Sequence, residues 1–143
     1  MEAHWEHFDH DADVGLRGFG GSPAEAFVQA ALALAAVVSP PDGVRAERVV
    51  DLSGEAKDLP FLLFDWLNGL IFEMAVQGLL FGRFEVEVEP SGGGLRLRGR
   101  AWGEPVDPRR HRPAVEVKGA TMTGLSVRES APGAWIAECV VDV

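Results

Sequence analysis

The residues best suited to chemistry lie near the amino terminus, in the segment His7-Phe8-Asp9-His10-Asp11-Ala12-Asp13. On an extended chain, alternation predicts that Asp9, Asp11 and Asp13 point to one side, where a divalent cation would relieve their mutual repulsion. A calcium-binding EF-hand is excluded, because the glycine comes one place late and the position of the required glutamate is Gly20. The segment alone favours a solvated acidic turn over a metal site.

A second acidic group lies at the other end of the sequence, in Val140-Val141-Asp142-Val143. The Asp142 side chain and the α-carboxylate of Val143 would there be neighbours. If this last segment is a strand that pairs near the amino-terminal turn, the two groups and Asp13 would offer several oxygens to one Ca²⁺ or Mg²⁺ ion. The sequence makes that pairing an expectation about the fold.

Other catalytic patterns are absent from the sequence. It contains no glycine-rich phosphate loop, no Cys or His pairs at zinc spacing and no serine in a nucleophile elbow. A nucleotide-dependent or hydrolytic enzyme is therefore disfavoured. The lone Cys139 is expected to be a small buried hydrophobic residue. Lys118, one of two lysines, is either an outward-facing strand residue or a functional group.

Length and charge limit the partners. At 143 residues the chain is expected to form one domain, residues 1–143. Its net charge of −9 predicts repulsion from phosphate backbones and anionic lipids, so we expect contact with RNA only through a partner, and none with DNA or membranes. The sequence has no apolar run of eighteen residues, and its amino terminus is acidic, which predicts a cytoplasmic protein.

Two helices are indicated by their capping residues. Ser22-Pro23-Ala24-Glu25 forms a capping box that begins a helix at about 23–38, and Pro40 prevents its continuation. Asp58 begins a second helix at about 58–76. Apolar residues at spacings of three and four make both helices amphipathic.

The remaining segments read as strands and loops. Alternating or β-branched residues predict strands at about 5–8, 14–19, 45–52, 84–89, 95–100, 115–120, 125–129 and 135–143. Strands 84–89 and 95–100 should form a hairpin with paired acidic and basic faces. The proline-rich segment 103–113 is expected to be an irregular loop and a candidate for partner contact. The predicted fold class is α+β, a single compact domain with mostly antiparallel sheet and two amphipathic helices.

The acidic segment also resembles a family motif. His10-Asp11-Ala12-Asp13-Val14-Gly15-Leu16 is similar to the opening His-Thr-Ala-Asp-Ile-Gly motif of the archease family, with Asp11 where threonine is usual. The resemblance continues, in the family's order, through Ser22 to Phe27, Leu62-Leu63, Trp66-Leu67-Asn68, Gly103-Glu104, Val117 to Thr121 and Trp135 to Val143. The chain departs from the family at Met122-Thr123, where Tyr-His is usual, so a role of that histidine is not carried over.

The resemblance implies a metal site and a functional surface. The metal, calcium above all with Mg²⁺ or Mn²⁺ as alternatives, would be held by Asp13, Asp142 and the main chain of Val143. A functional surface would include four further residues: His10, Asp11, Lys118 and Glu104. His10 is equally well explained as an ion-pair partner of the carboxylates.

The resemblance also implies a role without catalysis. Archease-like proteins assist the RtcB-type tRNA-splicing RNA ligase by promoting its guanylylation and repeated turnover. The expected function is therefore that of a metal-binding protein cofactor of this ligase, not an enzyme. The alternative is a chaperone-like specificity modulator of a tRNA methyltransferase or another RNA-modifying enzyme.

Overall fold

A computed structural model describes residues 1–143 of the protein. In this structure the first helix, α1, spans Pro23–Val38, as the sequence predicts. The Ser22 hydroxyl accepts the Glu25 N–H at 3.2 Å, and the Glu25 carboxylate accepts the Gly21 N–H at 2.8 Å. The first bond satisfies a donor that the first turn of a helix leaves free, and the second ties the residue before the cap to the same turn. The predicted helix at 23–38 is thus confirmed.

The second helix, α2 (Leu59–Gln77), begins after Asp58, whose carboxylate accepts the Phe61 N–H at 3.0 Å. It ends at Gly78, which has the positive φ of 63° typical of a helix terminus. By length and composition α2 could cross a membrane. Its buried face nevertheless lines the core of the domain, through Leu62, Leu63, Trp66, Leu67, Leu70 and Ile71.

Eight strands form two antiparallel sheets. They are β1 (His4–His10), β2 (Asp13–Gly20), β3 (Arg48–Ala56), β4 (Leu79–Ser91), β5 (Gly94–Pro105), β6 (Gly119–Ala120), β7 (Ser126–Ala131) and β8 (Ala134–Asp142). Sheet A has the order β1-β2-β8-β6, with β7 also paired to β8, and sheet B has the order β3-β5-β4. A 3₁₀ turn (Pro41–Gly43) and a short helix α3 (Pro108–His111) complete the chain.

Glycines allow the helices to pack closely on the sheets. A Cβ at Gly18 of β2 would lie 2.3 Å from the carbonyl oxygen of Ala26 in α1. A Cβ at Gly99 of β5 would lie 2.5 Å from the Trp66 ring of α2. The core therefore lies where α1 meets sheet A and α2 meets sheet B, and the predicted α+β domain with antiparallel sheets is confirmed.

Two of the predicted segments are wrong in detail. Of the strand predicted at 115–120, only β6 pairs with another strand, although the alternation of Val115 and Val117 fits a strand pattern. Val117 is buried but Val115 is 43% exposed, so the segment lies along the domain without a strand partner. The proline-rich segment 103–113 is not irregular throughout, because β5 extends to Pro105 and α3 follows.

The predicted hairpin of opposite charges is present. In its register Glu85, Glu87 and Glu89 of β4 lie opposite Arg100, Arg98 and Arg96 of β5. The Arg96 side chain contacts the Glu89 carboxylate at 2.5 Å. These side chains lie on the outer face of sheet B, away from the helices.

Candidate metal site at the end of sheet A

The β1–β2 hairpin holds the amino-terminal half of the candidate site. Its turn consists of Asp11 and Ala12, and Asp11 has a φ of 52°, a backbone conformation that aspartate tolerates better than most residues. His10 and Asp13 lie directly opposite each other across the turn. Directly opposite residues of an antiparallel pair share a face, so both side chains belong to the outer face of sheet A.

The hairpin corrects one sequence prediction. Asp9 lies opposite Val14, which packs against the core, so Asp9 is on the helix-facing side of sheet A while Asp13 is on the outer side. The prediction that the three aspartates share one side is wrong, because the chain reverses at Asp11 instead of continuing as one extended strand. The candidate site thus loses Asp9 as a ligand.

The carboxyl-terminal half of the site comes from β8. The β2–β8 ladder ends with the pair Val14 and Val141, so Asp13 and Asp142 are the next residues at the same end of the two strands. The expected pairing of the last strand with the amino-terminal turn is therefore present. His10, Asp13 and Asp142 form one row at this end of sheet A.

The end of β8 is held by the segment around β6. The Lys118 N–H donates to the Asp142 carbonyl at 2.8 Å. The backbone N–H and the hydroxyl of Thr121 each donate to the Val140 carbonyl at 2.9 Å. Lys118 is exposed and its backbone is a neighbour of Asp142, so the structure places it at the candidate site. The Val143 side chain packs against the core.

The donor atoms of this row suit a hard divalent cation. No three His, Cys, Asp or Glu side chains of the chain lie together in a way that could hold a metal ion. Two aspartates and the main chain of Val143 offer only oxygen, which is the ligand that Ca²⁺ and Mg²⁺ prefer. Because calcium takes six to eight oxygens, the other ligands of an ion at this row must be main-chain oxygens, water or groups of a partner. The nearby Nδ1 atom of His10 is buried and has no hydrogen-bond partner.

Glu104 does not lie on the exposed surface where the sequence prediction placed it. The side chain is buried, and its carboxylate accepts hydrogen bonds from Arg110 and, at 2.5 Å, from the Arg45 N–H. The His111 Nε2 atom lies 3.1 Å from the same carboxylate. The hydrogen bond from Arg110 is the main reason that the pKa of Glu104 falls to about 2, against the opposing effect of burial. Glu104 instead fixes the segment that carries α3.

Cys139 is buried, as expected. Its side chain lies in the core, and its Sγ atom donates to the Thr121 carbonyl at 3.4 Å. Burial disfavours the thiolate and raises the pKa of Cys139 to about 11. The thiol is therefore an inert part of the packing beneath the candidate site.

One polar residue near the site received no role from the sequence. The side-chain oxygen of Asn68 accepts the Ala120 N–H at 2.9 Å, and this bond links α2 to β6. The sequence feature that could have marked Asn68 is a polar amide between Leu67 and Leu70, in the middle of an apolar helix. Its partner could not be read from the sequence, because it lies 52 residues away.

Comparison with known proteins identifies relatives over almost the whole chain. Residues 5–143 match the profile of the Archease protein family (MTH1598/TM1083). The chain is 38% identical over 139 residues to a protein archease of Pyrococcus furiosus, covering 97% of this chain and 98% of the relative. It is 40% identical over 139 residues to a protein archease of Methanopyrus kandleri, covering 97% of this chain and 99% of the relative.

A solved structure supports the same assignment. The solution structure of Methanobacterium thermoautotrophicum protein 1598 superimposes with a TM-score of 0.86 at 30% sequence identity, over 97% of this chain and 98% of the other. The order of strands and helices described above is thus shared with a solved relative. The profile match, the relatives and the fold agree, and the chain belongs to the archease family.

Proposed function

We propose that this protein is a non-enzymatic, metal-binding activator of an RtcB-type RNA ligase, the role that its family resemblance implies. The observation that carries the proposal is the β2–β8 ladder, whose last pair, Val14 and Val141, leaves Asp13 and Asp142 as the adjoining residues at one end of sheet A. This ladder joins the two sequence segments that most closely resemble the family's acidic site. We name the residues at this end, His10, Asp13 and Asp142, the acidic row.

In this proposal the acidic row binds a divalent cation, calcium first and Mg²⁺ or Mn²⁺ as alternatives. Such an ion supplies positive charge that balances the carboxylates and can bridge them to a phosphate group. Asp13 and Asp142 provide side-chain oxygens, and Val143 contributes main-chain oxygen. The tight turn at Asp11 and the β2–β8 ladder hold these groups in place before any ion binds.

The charge of the molecule supports a protein partner with a basic cleft. A net charge of −9 repels free RNA but attracts the positive surface with which a ligase holds RNA. During guanylylation of the ligase, the protein would insert the acidic row near the nucleotide site. Contact with RNA would then occur only through the ligase.

Exposed apolar residues also favour a function through protein contact. Phe72 and Val76, on one face of α2, are 61% and 64% exposed. Beside α2, an apolar groove of about 450 Å³ is lined by Ile71, Met74 and Val115, among others. The same residues support the second candidate, a chaperone-like modulator of a tRNA methyltransferase.

The deciding experiment measures multiple-turnover ligation with the ligase limiting, with and without this protein, beside calcium binding by calorimetry. Asp13→Asn and Asp142→Asn should each weaken calcium binding at least tenfold and reduce activation, because each removes a charged ligand. Glu87→Gln is the matched control, since it removes one exposed carboxylate from sheet B.

Two results would contradict the proposal. Calcium affinity and activation that are unchanged in both aspartate variants would remove the acidic row from the function. No effect of the parent protein on any ligase turnover, together with an effect on a methyltransferase assay, would support the second candidate instead.

A further inference from the structure

Strand β6, the shortest strand of sheet A, lies beside the end of β8 that carries Asp142 of the acidic row. It has two residues, and the ladder pairs Gly119 with Asp142 and Ala120 with Val141. An isolated pair of residues forms few ladder bonds, so its position depends on other contacts. Whatever fixes β6 also fixes the end of β8, because the neighbouring Lys118 N–H binds the Asp142 carbonyl.

The N–H of Ala120 needs a partner outside the sheet. Successive N–H groups of a strand point to opposite edges, and the Thr121 N–H points to β8, where it binds the Val140 carbonyl. The Ala120 N–H therefore points to the free edge of sheet A. An unpaired donor there would cost free energy where it is shielded from water.

Asn68 supplies that partner from a rigid element. Its side-chain oxygen accepts the Ala120 N–H at 2.9 Å. Asn68 lies between Leu67 and Leu70, both fully buried, so α2 is anchored in the core on both sides of the amide. The bond thus ties the short strand β6 to the best-packed part of the domain.

We propose that Asn68 is a positioning residue for the acidic row, which it orients through Ala120 and β6 without contacting the ion or the partner. The inference rests on the proposed function for its effect on metal binding and ligase activation. Its structural part, the immobilisation of β6 and of Asp142, stands on the hydrogen bonds alone. Groups that orient metal ligands from a distance typically change metal affinity by ten- to a hundredfold when removed.

The test compares Asn68→Ala, Asn68→Asp and Gln77→Ala in the full chain. Asn68→Ala removes the acceptor, whereas Asn68→Asp retains an oxygen at the same place. Gln77→Ala is the matched control, because it also removes a side-chain amide from α2. The Gln77 amide binds only the Glu73 carboxylate. Amide exchange at Ala120 and Asp142 is measured by NMR, calcium binding by calorimetry and ligation by turnover.

In Asn68→Ala we expect exchange at Ala120 at least tenfold faster and calcium binding about tenfold weaker, while thermal unfolding remains cooperative. Asn68→Asp should recover most of the amide protection and of the affinity, and Gln77→Ala should match the parent. Rescue by Asn68→Asp would show that the acceptor oxygen, and not the volume of the side chain, is what β6 requires.

The positioning role is overturned if Asn68→Ala leaves both the Ala120 exchange and the calcium affinity at parent values. If Asn68→Ala does not fold, Asn68→Asp decides: a folded variant with unprotected Ala120 contradicts the role. If the parent itself neither binds calcium nor activates the ligase, the proposed function fails, and amide exchange still decides whether Asn68 immobilises β6.

Discussion

Individual residues in this protein show how an acidic side chain can serve structure instead of chemistry. The sequence placed Glu104 with the functional residues because its segment resembles the family pattern. In the structure its carboxylate is buried and binds Arg110 and the Arg45 backbone, with His111 beside it. No sequence pattern predicts this role, because Arg45 is 59 residues away and the burial of Glu104 depends on the packing of α3.

The buried carboxylate gives a pH-dependent contribution to stability. The pKa of Glu104 is about 2 in the folded protein, below its ordinary value of 4.5, so its charged form stabilises the fold above about pH 4.5. That stability is lost as the pH falls from 4.5 to 2. Glu104→Gln should therefore be less stable than the parent at pH 7, and the difference should shrink as the pH approaches 2.

Urea unfolding of the parent and Glu104→Gln at several pH values measures this difference. Glu87→Gln is the control, because it removes an exposed carboxylate from sheet B. A difference between the parent and Glu104→Gln that stays constant from pH 7 to pH 2 would show that the charge of Glu104 does not stabilise the fold.

At the level of elements, the helices were predictable because their ends are encoded locally. Ser22 and Asp58 each bind an N–H three residues ahead, and Pro23 fits the first helical position. The α1 boundaries are those predicted, and α2 differs by one residue at each end. These interactions depend on neighbours in sequence, so a pattern is enough to find them.

The candidate site was only partly predictable, because it depends on contacts between distant segments. The sequence correctly suggested that the last strand pairs beside the amino-terminal turn, from two acidic ends and a family resemblance. It failed for Asp9, since a reversal at Asp11 changes which aspartates share a face. Alternation near Val115 likewise predicted a strand, although no other strand lies beside that residue to pair with it.

The contact between β2 and α1 gives a prediction for this pair of elements. Gly18→Ala should lower the free energy of unfolding by about 1–3 kcal/mol, because the new methyl group would meet the Ala26 and Ala30 backbone, which cannot rotate away. Gly21→Ala is the comparison, since a Cβ there has its nearest neighbour at 3.7 Å. Denaturant unfolding of the two variants should differ clearly. Equal stabilities would mean that β2 and α1 can separate at little cost.

The molecule as a whole is acidic, but the charges on the outer face of sheet B partly balance one another. Sheet B carries its own arginines opposite its glutamates, so its outer face is partly neutralised. The end of sheet A presents His10, Asp13 and Asp142, with the backbone of Lys118 bound to that of Asp142. The residues of the proposed metal site thus contribute to a net charge of −9.

This charge predicts how the protein meets a basic partner. The proposed function predicts that association with the ligase is fast at low salt and that its rate constant falls by about tenfold or more as salt rises, because counterions screen long-range attraction. Stopped-flow measurements at increasing sodium chloride concentrations test this expectation, with the dissociation rate constant followed in parallel. An association rate that is independent of salt would show that the charge of the molecule does not guide the encounter.

The central place of β8 in sheet A has a consequence for the order in which a newly made chain can fold. Sheet B is built from residues 48–105, so a growing chain can complete it early. Strand β8 (residues 134–142) pairs with β2, β6 and β7, all of which are synthesised before it. The β1–β2 hairpin is therefore without this neighbour until residues 134–142 have been synthesised. The acidic row can form only after that point, so a chain that lacks β8 lacks the carboxyl-terminal half of the candidate site.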